Sequence, residues 1–203
     1  MNYDKNCQLL IIGDSTVGKT SLITRYANGI FKEEYLATVG IDYFTKEETI
    51  NNQSVQVKLW DTAGQERFKS LTQNFFRNAQ GVILAFDVTN TESFDNLKDW
   101  INSIKKNIEG NNIFIPLIIV GNKIDMEDAR EIQKDVAEKF ASQNKYKYFE
   151  TSAKTGEGVD DAVRDIVTQV LSAKQSSDNK DEGRSSVQIK AEQKGGEKKK
   201  GCC

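Results

Sequence analysis

An α/β domain with a mixed, mostly parallel sheet of about six strands flanked by about five helices is the fold predicted by this sequence of 203 residues. Three observations predict it. Short, nearly continuous apolar runs alternate with segments of helical periodicity, the pattern of parallel strands covered on both faces. A glycine-bearing loop joins the first apolar run to the first helical segment. One stretch of alternating residues, broken by a polar turn, adds an antiparallel hairpin.

Leu9 to Ile12 is the first buried strand, and the helical segment after the loop runs to about Asn28. Ile41 to Ile50 reads as a strand, Asn51-Asn52-Gln53 as a turn, and Val55, Val57 and Leu59 as the inward positions of the returning strand. Val82 to Phe86, Ile115 to Val120 and Tyr146 to Phe149 supply the remaining strands. Phe94, Leu97, Ile101, Ile104 and Ile108 recur at helical spacing, as do Val159, Ala162, Val163, Ile166, Val167 and Val170. Beyond Leu171 the composition changes: Ser172 to Cys203 holds only Val187 and Ile189 as large apolar residues, and eight basic against five acidic ones. The expected organisation is a folded domain over 1–171 and a disordered tail over 172–203.

Composition removes several classes of function. There is no histidine, so His-based triads, His general bases and the usual His-containing zinc sites are excluded. The three cysteines, Cys7, Cys202 and Cys203, form neither a disulfide framework nor a CxxC pattern. A mean hydropathy of -0.58, with no apolar stretch of bilayer length and no apolar leader after Met1, predicts a soluble cytosolic protein.

Gly13-Asp14-Ser15-Thr16-Val17-Gly18-Lys19-Thr20 fits G-x-x-x-x-G-K-[ST] between a strand and a helix. Such a loop points successive backbone N–H groups at phosphate oxygens, reinforced by the positive end of the helix that follows. Lys19 supplies an ammonium for the β- and γ-phosphates, and the Thr20 hydroxyl suits Mg²⁺. Asn122-Lys123-Ile124-Asp125 follows another buried strand. A carboxylate there accepts hydrogen bonds from guanine N1–H and the 2-amino group, a pair of donors that adenine lacks. Thr151-Ser152-Ala153-Lys154, after the last strand, offers backbone N–H groups to the guanine carbonyl oxygen. The cofactors implied are Mg²⁺ and bound GTP or GDP.

With these motifs in order, the sequence resembles the small Ras-like GTPases over about Gln8 to Leu171, and specifically the Rab family. The resemblance also rests on Thr38-Val39-Gly40-Ile41-Asp42-Tyr43-Phe44, on Lys58 to Phe68 with Trp60-Asp61-Thr62-Ala63-Gly64-Gln65, and on Val82 to Asn90. It implies the P-loop small GTPase fold. It further implies that Thr38 ligates Mg²⁺ and that Asp61 holds a metal-bound water. Gly64 would donate its N–H to the γ-phosphate, Gln65 would position the attacking water, and Phe31 would pack on the guanine ring. Ser15, Thr16, Val17, Gly18, Ser21 and Tyr35 complete the implied nucleotide site, and Phe44, Trp60 and Phe75 the aromatic cluster shown to effectors. No motif supplies an arginine finger in cis, so intrinsic hydrolysis is expected to be slow.

Gly201-Cys202-Cys203 resembles the double-cysteine ending on which Rabs carry two geranylgeranyl groups, with Lys198-Lys199-Lys200 beside it. Two chains anchor stably where one does not. The implied partners are an exchange factor, a GTPase-activating protein, effectors, an escort protein with the prenyltransferase, and a dissociation inhibitor. The implied state is a monomer, without nucleic acid, on the cytoplasmic face of intracellular membranes of the secretory route or the plasma membrane, cycling through the cytosol in vesicle traffic. The rival readings are a P-loop nucleotide kinase and a GTP-locked adaptor that does not hydrolyse.

Overall fold

The structure is a computed structural model and describes residues 5–33, 41–62, 78–108 and 115–182. The apolar run at Leu9 is the second half of β1 (Lys5–Ile12). Its neighbours in the central sheet are β3 (Gln53–Thr62) and β4 (Gly81–Asp87), both parallel to it. β2 (Ile41–Ile50) pairs antiparallel with β3, while β5 (Leu117–Asn122) and β6 (Lys147–Thr151) extend the parallel side. The order is β2-β3-β1-β4-β5-β6, a mixed six-stranded sheet.

Side-chain alternation in β1 builds two cores. Cys7, Leu9 and Ile11 join Val57 and Leu59 beneath α1 (Lys19–Asn28) and α5 (Val159–Glu182). Leu10 and Ile12 join Leu84, Phe86 and Ile119 beneath α3 (Leu97–Ile108) and α4 (Lys134–Gln143). A short α2 (Thr91–Asp95) precedes α3, its N-cap Asn90 accepting from Ser93 N at 3.0 Å. β4 and β5 are buried throughout, as runs covered on both faces should be.

Four details differ from the expectations drawn from the sequence. The hairpin turn has two residues: Asn51 (φ 51°) and Asn52 (φ 60°) are both left-handed, and Gln53 already pairs with Ile50. That is type I′ geometry, and asparagine adopts it more readily than other non-glycine residues. β5 starts at Leu117 rather than Ile115, after Pro116, which has no N–H to donate. β6 begins one residue later than expected and runs on to Thr151. The last helix passes the expected boundary at 171 and ends at Glu182. Ser172-Ala173-Lys174 contains no helix breaker that would stop it at the expected boundary. Lys174 Nζ also donates to Asn6 O at 2.9 Å, tying the extension to β1.

Cys7 is fully buried, and desolvation pushes its thiol up to about 12, against a smaller opposing pull from Lys174. Folding therefore favours the neutral thiol: this contribution is intact below the unfolded value of 9.0 and is lost as pH rises toward about 12. A thiol reagent at pH 8 is expected to modify Cys7 only after denaturant is added. Rapid labelling of Cys7 in the native protein, located by peptide mapping, would contradict its burial.

Candidate nucleotide site

The loops that leave β1, β4, β5 and β6 converge at the carboxyl end of the parallel sheet, where open α/β folds form their ligand crevice. Asn122, at the end of β5 and 1% exposed, joins them. Its Nδ2 donates to Val17 O at 2.9 Å, and its Oδ1 accepts from Ala153 N at 3.2 Å and Thr151 Oγ1 at 3.3 Å. One buried amide thus ties the glycine loop of β1 to the loop after β6. A second bond joins the loops after β5 and β6: Asp125 Oδ1 accepts from Ser152 Oγ at 2.6 Å. Lys123, held at φ 69°, pairs with Asp87 Oδ2 at 2.6 Å.

The glycine loop wraps around its own lysine. Lys19 opens α1, is 5% exposed, and donates from Nζ to Gly13 O at 2.9 Å and Asp14 O at 2.6 Å. Gly18 caps the helix at φ 94°, and a Cβ there would stand 2.5 Å from Asn122 Nδ2. Val17 is buried, Ser15 is half-buried, Thr16 is exposed at φ 66°, and Ser21 is half-buried in the first turn of α1. The loop therefore presents main chain and a buried ammonium at a helix N-terminus, the arrangement that suits a phosphate.

Thr20 Oγ1 lies 2.6 Å from Asp61 Oδ2, and Asp61 is 1% exposed at the end of β3. A hydroxyl beside a buried carboxylate is a hard-oxygen pair that fits Mg²⁺. No three His, Cys, Asp or Glu side chains gather as a metal group among the described residues. Phe31 is half-buried against the core cluster that includes Ala153, and Lys154 Nζ lies 3.5 Å from Glu33. Tyr35, Thr38, Gly64, Gln65, Phe75, Cys202 and Cys203 lie outside the described residues.

Residues 8–172 match the Ras family. Ras-related protein Rab-13 of Rattus norvegicus is 41% identical over 169 residues, covering 83% of this chain and 82% of the relative. Rab-13 of Bos taurus is 42% identical with the same coverage, and Rab-8B of Homo sapiens is 40% identical over 172 residues.

The chain belongs to the Rab group of the Ras family. It is a small GTPase, a GTP hydrolase of membrane trafficking, and its fold is the Ras-like P-loop fold. Members of this family bind GTP, GDP and Mg²⁺ and work through regulators and effectors. No described helix of this Rab GTPase is long and apolar enough to cross a membrane.

The aromatic cluster needs one correction. Phe44 packs into the core under α1 and α5, whereas Tyr43 is half-exposed and faces Trp60 with ring centroids 5.2 Å apart. Strand alternation explains it: Tyr43 is the residue opposite Trp60 in the β2–β3 register, so both lie on the face of the sheet opposite to that of Phe44. Lys58 Nζ stands 3.6 Å from the Tyr43 ring centroid and 4.2 Å from that of Trp60.

Three supporting residues were not foreseen from the sequence. Asp14 accepts from Asn96 Nδ2 and Trp100 Nε1, both at 2.7 Å, which pins the glycine loop to α3. Asp87 Oδ1 accepts from Thr89 N at 2.9 Å and Thr89 Oγ1 at 2.7 Å while its other oxygen holds Lys123. An Asp-x-Thr turn after a buried strand was the available signal for Asp87. Arg25 reaches the loop after β6 from α1, and nothing in its sequence context foretold it.

Proposed function

We propose that this Rab GTPase is a membrane-anchored switch that holds GDP or GTP in the crevice centred on Asn122, hydrolyses GTP slowly, and recruits effectors in its GTP form in the secretory route. The observation that supports this most directly is the Asn122 side chain joined to Val17 O, Ala153 N and Thr151 Oγ1, which makes one site of three loops. In this reading the main chain of 15–18 and the Lys19 ammonium bind the phosphates. Asp125 reads guanine N1–H and the 2-amino group, and Ser152, Ala153 and Lys154 face the guanine oxygen. Lys123 and Phe31 border the base, and Tyr35 and Ser21 complete the pocket.

Thr20, Thr38 and Asp61 would hold Mg²⁺, which when bound supplies charge neutralisation for the phosphates. Gln65 aligns water against the γ-phosphate and Gly64 donates its N–H there. Phosphoryl transfer depends on alignment and charge stabilisation more than on a strong base, so a chain without histidine can perform it. Cys202 and Cys203 carry two lipid chains, and the exchange factor, activating protein, effectors, escort machinery and dissociation inhibitor act on this scaffold.

Single-turnover hydrolysis of preloaded GTP tests the reading. The wild type is expected to turn over below about 0.01 s⁻¹ without a partner, and Gln65→Leu at least about tenfold more slowly. Rates near 1 s⁻¹ in the wild type would overturn slow intrinsic turnover, and a Gln65→Leu variant as fast as the wild type would overturn the assignment of Gln65. The anchor is tested by imaging N-terminally tagged Gln65→Leu with and without Cys202 and Cys203. Membrane labelling that persists in the shortened chain removes the lipid argument.

A further inference from the structure

Arg25 lies in the last turn of α1, away from the phosphate loop, and donates to three backbone carbonyls. Its Nε reaches Ala153 O at 2.7 Å, Nη2 reaches Lys154 O, and Nη1 reaches Gly29 O at 2.8 Å. Its own carbonyl accepts from Gly29 N at 2.9 Å, so the same residue closes the helix and grips the loop after β6. A Cβ on Gly156 would stand 3.5 Å from Arg25 Cδ, which places the aliphatic stem across that loop. The planar guanidinium spreads five N–H donors over a rigid fork, which lets one side chain reach three carbonyls on two separate segments.

Because there is no cis peptide among the described residues, holding Ala153 O directs the N–H of Lys154 away from the guanidinium. Holding Lys154 O likewise fixes the N–H of Thr155, which donates to Ser152 Oγ at 3.0 Å. Ser152 Oγ in turn donates to Asp125 Oδ1 at 2.6 Å. A continuous chain of hydrogen bonds therefore runs from Arg25 through the Lys154–Thr155 peptide plane and Ser152 to the carboxylate read as selecting guanine, while the bond to Ala153 O fixes the plane before it.

We propose that Arg25 is a positioning residue for guanine recognition: it touches no part of the nucleotide and sets the orientation of the 153–155 peptide planes and, through Ser152, of Asp125. This rests on the nucleotide-site reading above. It separates the base end of the site from the phosphate end, because none of these three hydrogen bonds involves residues 13–20 or Asp61.

The test compares wild type, Arg25→Ala, Arg25→Gln and Arg25→Lys, each loaded with fluorescent GDP and Mg²⁺. Arg25→Ala and Arg25→Gln are expected to release GDP about tenfold faster or more. Arg25→Lys should recover part of the loss, and single-turnover GTP hydrolysis should stay within about twofold. The decisive readout is the preference for GDP over 6-thio-GDP, whose sulfur is a weak acceptor for the loop N–H groups. That preference should narrow in Arg25→Ala and Arg25→Gln. Equal weakening of both ligands, or GDP release at the wild-type rate, overturns the proposal. Failure of the wild type to bind GDP would instead overturn the site reading.

Discussion

Asp125→Asn is expected to reduce GDP affinity by about 10³-fold or more and to shift preference toward xanthosine diphosphate. Guanine presents two adjacent donors, N1–H and the 2-amino group, and an ionised carboxylate is acceptor-only, so both find a partner. An asparagine replaces one oxygen with a donor amide, leaving two donors facing each other at one of the two positions. Xanthine carries a carbonyl where guanine carries the amine, which restores the match.

The surrounding structure makes the substitution a clean one. Asp125 is exposed, so no core packing is lost, and Ser152 Oγ, at 2.6 Å from Oδ1, can donate to an amide oxygen as well. The turn that presents it is set independently by Lys123 at φ 69° and by Met126 N donating to Lys123 O at 3.0 Å. Competition of GDP and xanthosine diphosphate for the variant checks the outcome. Retention of GDP affinity within about tenfold of wild type would show that base selection lies elsewhere.

That Asn122 to Asp125 and Thr151 to Lys154 come together was legible in the sequence, because each is a short polar segment directly after a buried strand at the same end of the sheet. What was not legible depends on residues far apart in the chain. Asp14 meets Asn96 and Trp100, and Arg25 meets Ala153 and Lys154, only because α3 and β6 flank the same crevice. The strands were legible from their apolar runs, but their ends were set by partners. Gln53 joins β3 because the asparagine pair closes the hairpin in two residues. Phe44 and Tyr43 show the finest limit: the two aromatics are adjacent, and only the register of Tyr43 against Trp60 decides which one faces outward.

Gly13→Ala is expected to cost about 3–5 kcal/mol of stability at a fixed GDP concentration and to abolish tight nucleotide binding. Gly29→Ala serves as its control. Gly29 sits at φ 69° with nothing within 4 Å of where an alanine methyl would stand, so alanine there meets only the backbone penalty of about 1 kcal/mol. At Gly13, φ is +142° and a Cβ would stand 2.1 Å from Ala85 O and 3.1 Å from Ala85 C, both on the central strand β4. Neither atom can rotate away, because Ala85 is locked in register between Leu84 and Phe86 with β5 on its far side. Relief requires the glycine loop to move off the sheet. That motion drags Gly13 O from Lys19 Nζ, 2.9 Å away, and strains the Asn122 bond to Val17 O at 2.9 Å. Stability and binding should therefore fall together at Gly13 and separate at Gly29. Denaturant unfolding at fixed GDP, paired with GDP release rates, distinguishes the cases. A Gly13→Ala variant that lost no more than Gly29→Ala would mean that the spacing between the glycine loop and β4 is adjustable, and that the close approach is not what holds the phosphate loop in place.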